Sequence, residues 1–394
     1  MKSSYKKIGD FITLVNNRNI DFEVNDLRGI NIEKYFMPSV ANTIGTDMSK
    51  YKIVKNGQFA CNRMHVGRDG RLPIALWKGE HNIIVSPAYD VFEITDTENL
   101  DSDYLMMWFL RREFDRNAWF YTDADVRGGL KWEDFCNLQL PVPPITKQRE
   151  IVKDYKVFED RININNKIIQ KLEETAESIY NHWFVNFEFP DKDGKPYKSS
   201  GGELVYSEDL NKEIPKGWKV GMLADIATIT MGQSPSGESY NKNGEGMIFY
   251  QGSSDFGFRF PSVSTFTTSP KRTSKKGDIL LSVRAPVGDI NIAIEDCCIG
   301  RGLASLKSNY ECNSHLFYLL KTFKRQFNAK NKEGTVFGSL TKGNLRELSI
   351  VYSESLIREF EKLVSPIDRQ IKIYSIQNNN ITSLMRLLNS KMSN

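Results

Sequence analysis

Two segments of this chain carry apolar side chains at alternating spacings of four and three. The first series is Ile151, Tyr155, Phe158, Ile162, Asn165, Ile169, Leu172, Ala176 and Ile179. The second is Phe360, Val364, Ile367, Ile371, Tyr374, Asn378, Ile381, Met385 and Leu388, offset by 209 residues at every layer. A mean step of 3.5 residues holds one seam on one helix face, so each segment predicts a long helix that needs a partner. With a long domain between them, the matched helices are expected to pair antiparallel. The alternative is two separate amphipathic helices, each packed on its own domain. Asn165 and Asn378 interrupt the seam. A polar seam residue costs stability and can fix register, or it is simply tolerated there.

The segments outside the helices also occur twice. Val126–Val142 aligns without a gap on Val336–Tyr352, matching Val126 to Val336, Gly128 to Gly338, Leu130 to Leu340 and Leu138 to Leu348. Ile8, Asp10, Phe11 and Thr13 match Leu223, Asp225, Ile226 and Thr228; Gly57 matches Gly277; Arg63 and Gly67 match Arg284 and Gly288. Val85–Phe92 resembles Ile299–Leu306. Each copy reads as short strands: Phe59 and Cys61, Leu72 and Ile74, Ile279–Val283, Asn291–Glu295, bounded by Gly, Pro and Asp. Short helices are expected at Leu105–Phe114 and His315–Phe327, and KNG and KKG as tight turns feeding a strand. The prediction is an α+β chain: two similar mixed α/β domains, joined by two long helices forming an antiparallel coiled coil, with a pseudo-twofold internal repeat.

The 394 residues suffice for two or three domains with real cores. No apolar run approaches the roughly 18 residues that span a bilayer, and the N-terminus lacks a signal-type apolar core; a cytoplasmic protein without membrane contact is expected. Five cysteines without a CxxC pair, and four scattered histidines, speak against zinc and against a disulfide framework. The net charge of +4 is unevenly spread. Residues 1–142 hold 18 Lys+Arg against 20 Asp+Glu; residues 215–350 hold 18 against 11. The second domain has the balance of a polyanion binder, and the first would need a local basic face.

Three stretches resemble the type I restriction–modification specificity subunits: LPVPPITKQREIVKDY (Leu140–Tyr155), KLEETAESIYNHWFVNFEFP (Lys171–Pro190), and GELVYSEDLNKEIPKGWKVGMLADIATITMGQSPSG (Gly202–Gly237). The similarity extends over essentially the whole chain. YSESLIREFEKLV departs from the pattern by lacking the Pro–Pro pair, although Arg358, Glu359 and Phe360 still match Arg149, Glu150 and Ile151. The resemblance implies a non-catalytic subunit with target-recognition domains at 1–142 and 215–352. It implies conserved helical regions at 143–190 and 353–394, and a linker at 191–214. Each recognition domain would read one half of a bipartite double-stranded DNA target. Two modification subunits would dock, and restriction subunits would join them. S-adenosylmethionine, ATP and Mg²⁺ would bind those partners, leaving this chain without a cofactor or metal. The nine layers span 28 residue steps, about 42 Å at about 1.5 Å per residue; one turn of B-DNA is about 34–36 Å.

Phosphates take Lys and Arg, and base edges take Arg, Asn, Gln, Ser and Thr presented on loops. Candidates in the first domain are Arg63, Arg68, Arg71, Lys78 and Arg127. In the second they are Gln233, Ser234, Ser236, Tyr240, Asn241, Gln251, Ser253, Lys271, Arg272, Lys275, Lys276, Arg284 and Lys342. Taken singly, each of these reads better as a solvated surface charge, and the DNA reading rests on the clusters; Arg63 and Arg284 could instead serve folding. Pro143 and Pro144 would set the first helix start. Trp183, Phe184, Phe187 and Phe189 read as core, with a docking surface as the alternative. A self-contained methyltransferase is disfavoured, because VPPI (Val142–Ile145) lacks the polar and aromatic ends of a [DNS]PP[YFW] motif. No GxxxxGK[ST] loop or nuclease pattern occurs, and Asp191–Lys195 reads as a turn. A coiled-coil scaffold without DNA contact is the other competing function.

Overall fold

The computed structural model describes residues 5–39, 45–122, 129–332 and 339–391. The repeat positions Val126, Gly128, Val336 and Gly338 and the candidate Arg127 lie outside the described residues. The chain divides into two compact units, Met1–Asn165 with Ile376–Asn394, and Asn166–Ser375. Each unit therefore takes one copy of the repeat and one half of each long helix. Among the described residues, five α-helices reach eight residues: α1 Ser102–Phe109, α2 Arg112–Phe120, α3 Ile145–Tyr180, α4 Asn313–Lys332 and α5 Glu354–Lys391.

The central sheet of the first unit comprises β1 Ile12–Val15, β2 Phe59–Cys61, β3 Ile74–Leu76 and β4 Asp90–Ile94, in the antiparallel order β1-β4-β2-β3. The second unit repeats it with β5 Ala227–Met231, β6 Ile279–Ser282, β7 Ile290–Ile292 and β8 Leu303–Ser308, in the order β5-β8-β6-β7. Phe59 faces Phe92 across one sheet, and Ile279 faces Leu306 across the other. Gly57 and Gly277 precede β2 and β6 with φ of 84° and 89°, a backbone that only glycine adopts without strain. Each copy closes by pairing its first strand with its last, Tyr5–Lys7 on Gln139–Pro141 and Lys219–Met222 on Ser349–Tyr352. The adjoining N–H groups of Ile8 and Leu223 donate to Leu138 and Leu348.

Three local expectations change. The segment read as one helix over Leu105–Phe114 breaks between α1 and α2, because Arg111 is extended (φ −78°, ψ 142°). The strand read at Asn291–Glu295 shrinks to Ile290–Ile292. The segment read as a linker contains a hairpin strand, Leu204–Ser207, paired with Lys212–Pro215. Asp191 and Lys195 do form a turn, with the Asp191 carboxylate accepting from the Asp193 and Lys195 N–H groups.

Every residue of the two seam series is buried or half-buried. In the first unit, Val152, Tyr155 and Met385 share one core with Phe158, Ile162, Ile381 and Leu388, and Asn165 Nδ2 donates to Asn378 Oδ1 at 2.8 Å. In the second, Tyr180 lies edge-on to Phe360 at 5.6 Å, among Ala176, Val364 and Ile367. In the first unit early residues of α3 meet late residues of α5, and in the second late residues of α3 meet early residues of α5, so the pairing is antiparallel. The helix start at Ile145 is held by Gln148, whose buried amide donates to Asn99 and Pro143 carbonyls and accepts from the Asp101 N–H.

Phe184, Phe187 and Phe189 are buried, stacking on Trp218, Tyr197 and Phe360. The aromatic run is core of the second unit, which removes it as a source of exposed apolar surface. Arg259, fully buried, binds Asp368 of α5 at 2.6 Å and Glu173 of α3, donates to the Tyr318 hydroxyl at 3.0 Å, and lies 4.2 Å from the Phe317 ring centre. One guanidinium thus joins a loop of the second domain to both helices within that unit. Planar, bidentate-capable Arg suits such a desolvated position better than Lys.

Candidate nucleic-acid interface

In the first domain the described basic candidates are ion-paired. Arg63 Nε donates to Asp90 at 2.6 Å, its Nη1 donates to the Leu130 carbonyl, and its guanidinium covers the Trp132 ring at 5.6 Å. Arg68 pairs with Asp69 and Arg71 with Glu33, each at 2.7 Å. Lys78 pairs with Asp103, which also holds Lys156 at 2.7 Å. Burial, then the neighbouring Lys156 charge, pull the Lys78 ammonium below its usual value. Exposed pairs such as Arg68–Asp69 exchange partners at little cost; the half-buried Arg63 does not share that freedom.

The repeat register of Arg63 differs from its sequence match to Arg284. The Leu130 N–H donates to the Arg63 carbonyl at 3.0 Å, and the equivalent Leu340 N–H donates to Val283 at 2.8 Å. Strand pairing runs in one frame from Gly57/Gly277 through Cys61/Leu281, so position 63 falls on Val283 rather than Arg284. In the same frame Asp90 falls on Ala304. Arg284 is exposed beside Ser339, to which its backbone bridges, and has no ion-pair partner among the described residues.

The second domain keeps more of its charge unpaired. Lys275 pairs with Asp296 at 2.7 Å and Lys276 with Glu295 at 3.3 Å. Lys271 and Arg272 are exposed, with no carboxylate in ion-pair reach among the described residues. The Ile299 N–H donates to the Arg272 carbonyl at 2.9 Å, which fixes the backbone that carries them. Lys342 is exposed in the first turn of a short helix, Lys342–Arg346, capped by Thr341.

The polar loop residues converge on a cavity of about 500 Å³. Gln251 Nε2 donates to Ser234 Oγ at 3.2 Å, and the Arg301 N–H donates to the same hydroxyl at 3.2 Å. Tyr240 lies 4.8 Å from Phe249 as an aromatic floor, its hydroxyl donating to the Pro235 carbonyl. Gln233 and Ser236 are exposed on the same loop. Asn241 instead closes its own turn, accepting from the Asn243 and Glu245 N–H groups, and Ser253 caps a tight turn by accepting from Phe256. Sequence reasoning missed Arg301, Asp255 and Thr265 of the cavity wall. Arg301 was legible in the repeat, where it stands opposite Pro87. An exposed, unpaired arginine beside amide and hydroxyl groups is the chemistry that hydrogen-bonds base edges.

Among the described residues no group of His, Cys, Asp and Glu is arranged to hold a metal, and no helix is long and apolar enough to cross a membrane. All five cysteines are free thiols. Burial pushes Cys297 up to about 12 and Cys312 to about 11, so neither is a reactive thiolate at neutral pH.

The family model for the type I restriction modification DNA specificity domain matches residues 215–353. The protein assigned as the MjaX type I restriction enzyme specificity subunit of Methanocaldococcus jannaschii is 31% identical over 313 residues, 77% of this chain and 69% of that protein. The HindI specificity subunit of Haemophilus influenzae is 20% identical over 423 residues, covering 92% and 91% of the two chains. In fold, the chain is similar to the crystal structure of the type I restriction–modification S subunit of M. genitalium, with a TM-score of 0.55, 17% identity, and coverage of 98% and 95%.

Proposed function

The chain belongs to the type I restriction–modification specificity subunits, and from that premise we propose that its two domains each read one half of a bipartite double-stranded DNA target. The subunit is non-catalytic: it recognises DNA, and the chemistry belongs to other subunits. The observation that carries the two-part reading is the repeated sheet order, β1-β4-β2-β3 and β5-β8-β6-β7, with loops of different sequence on the same frame. Like frames with unlike loops suit two half-sites of unlike sequence.

In the second domain we assign phosphate contact to Lys271, Arg272 and Lys342, and base contact to Gln233, Ser234, Ser236, Gln251 and Arg301 on the loops around the Tyr240–Phe249 floor and to Arg284 beside Ser339. Lys275 and Lys276 stand beside them as paired charges. In the first domain Arg68, Arg71 and Lys78 are the available cations, and Arg127 is a candidate from sequence. The partners are two modification subunits and, with them, restriction subunits. S-adenosylmethionine, ATP and Mg²⁺ would be held there, and the complex would work in the cytoplasm.

Co-expression with the modification subunit, followed by methylation sequencing, tests this reading. One bipartite methylated motif is expected. Exchanging residues 215–352 for the matching domain of a relative should change one half of the motif and leave the other. No bipartite motif with both subunits expressed would overturn the proposal.

A further inference from the structure

The segment Gly300-Arg301-Gly302 is pressed against the backbone of Gln251. The Gly300 N–H donates to the Tyr250 carbonyl at 2.8 Å, and the Gly302 N–H donates to the Gln251 carbonyl at 3.3 Å. A Cβ on either glycine would stand 2.8 Å from the Gln251 carbonyl oxygen, so only glycine fits on both flanks of the arginine. The Arg301 N–H is tied to Ser234 Oγ, the hydroxyl that also holds the Gln251 amide. The backbone is thus fixed at three successive residues. The Arg301 guanidinium is exposed in the cavity wall and has no ion-pair partner among the described residues.

Asp255 is the odd member of the same wall. It is half-buried, Ser264 Oγ donates to its Oδ1 at 2.8 Å, and no cation stands within ion-pair reach among the described residues. A carboxylate on a DNA-binding face repels phosphate, so it weakens binding unless a base edge donates to it. In the major groove the base donors are cytosine N4 and adenine N6, while guanine offers O6 and N7 to an arginine fork. Across a G·C pair the two acceptors are adjacent and the donor follows. Across an A·T pair the donor separates the acceptors. An unpaired Arg and an unpaired Asp on one cavity match the first order.

We infer that the second domain reads a G·C pair within its half-site. Arg301 donates to guanine O6 and N7, and Asp255 accepts from cytosine N4. Ser234 is a positioning residue, acting through the Arg301 backbone and the Gln251 amide. The inference rests on the reading of the two domains as half-site readers and names one base pair inside one half. Pro87 stands opposite Arg301 in the first copy, so the first domain has no guanine reader at this place.

The test uses the full-length subunit co-purified with its modification subunit, on duplexes carrying the motif found by methylation sequencing. The half belonging to residues 215–352 is identified by the domain exchange. Replacing one G·C pair of that half by A·T should weaken binding at least about tenfold, a change of about 1.4 kcal/mol. Arg301→Ala, an exposed substitution, should abolish discrimination at that position and keep it at the others. Asp255→Ala should tighten a non-cognate duplex while narrowing the advantage of the cognate one, which a folding fault would not do. A bipartite motif whose second half holds no G·C pair would overturn this inference and leave the bipartite reading standing; no bipartite motif at all would overturn both. Arg301→Ala with discrimination intact at every position would also overturn it. Equal weakening of both duplexes by Asp255→Ala would overturn the role of Asp255.

Discussion

Arg63 Nε donates to Asp90 Oδ2 at 2.6 Å, and the second copy of the repeat puts Val283 and Ala304 in those two places. An ion pair in one domain is thus an apolar pair in the other. Both partners change together, as desolvation requires: either residue alone would leave a half-buried charge uncompensated.

Arg63→Ala should therefore destabilise the first unit by about 1–3 kcal/mol, the usual cost of losing hydrogen bonds to a charged partner. The transplant Arg63→Val/Asp90→Ala should recover most of that loss. Thermal melting of the wild type, the single variant and the double variant checks it. A double variant no more stable than Arg63→Ala would show that the two positions are not exchanged as a pair.

Asn165 and Asn378 carry a related argument inside the seam. They are the fifth and sixth members of their series, yet antiparallel pairing sets them opposite each other at 2.8 Å. Facing each other favours a register device over separate tolerance of two polar residues. The pair is not fully satisfied, since Asn165 Oδ1 has no partner. Asn165→Leu alone should cost about 1–3 kcal/mol by removing the amide that donates to the Asn378 side chain. Asn165→Leu/Asn378→Leu should match or exceed the wild type in urea denaturation. A single variant more stable than the wild type would contradict the pairing.

The helices were legible because a seam repeats one physical requirement at every layer, from Ile151 to Ile179 and from Phe360 to Leu388. Fold class followed, since strand patterns and turn glycines such as Gly57 and Gly277 recur in the same order. The contacts that tie irregular segments to the helices were not legible. Arg259 sits in the loop FGFRFP, and nothing local distinguishes it from a surface arginine. Its partners Glu173, Asp368 and Tyr318 lie 59 to 109 residues away. The match of Arg63 to Arg284 failed for a related reason: identity of side chains pointed one residue away from the position that the backbone hydrogen bonds equate. The α1–α2 break was hidden because it falls within an unbroken helical pattern, FLRREF.

His315 should give the second unit a distinctive acid limb. Its ring is buried among Phe184, Tyr180 and Phe360, and burial pulls it down to about 3. In the unfolded chain it titrates near 6.5. Below that value the unfolded state binds a proton that the folded state refuses, so stability present above about pH 6.5 is lost progressively toward pH 3. Glu361, which accepts from the Ser314 and His315 N–H groups, is raised by burial and works in the opposite sense: its contribution is lost as pH rises through its folded value. His315→Phe should therefore flatten the dependence between pH 6.5 and 5 by up to about 1.4 kcal/mol per pH unit. Denaturation midpoints at several pH values check it, and an unchanged slope would count against the buried neutral imidazole.

The four cations of Ser269–Lys276 should not contribute equally to DNA binding. Lys275 and Lys276 already face Asp296 and Glu295, and Lys275 is raised first by its hydrogen bond to Asp296. A phosphate reaching them displaces a carboxylate, so few counterions are released per contact. Lys271 and Arg272 have no such partner among the described residues and meet a phosphate with their full charge. Each contact neutralised contributes about 0.9 to the slope of log affinity against log salt on B-DNA. Lys271→Ala/Arg272→Ala should therefore flatten that slope by up to about 1.8 and weaken cognate and non-cognate duplexes alike. Lys275→Ala/Lys276→Ala should change it far less, because Asp296 and Glu295 already balance these two charges. Fluorescence anisotropy across a salt series measures both slopes. Equal slopes for the two double variants would remove the distinction between paired and unpaired cations, and with it the phosphate role assigned to Lys271 and Arg272.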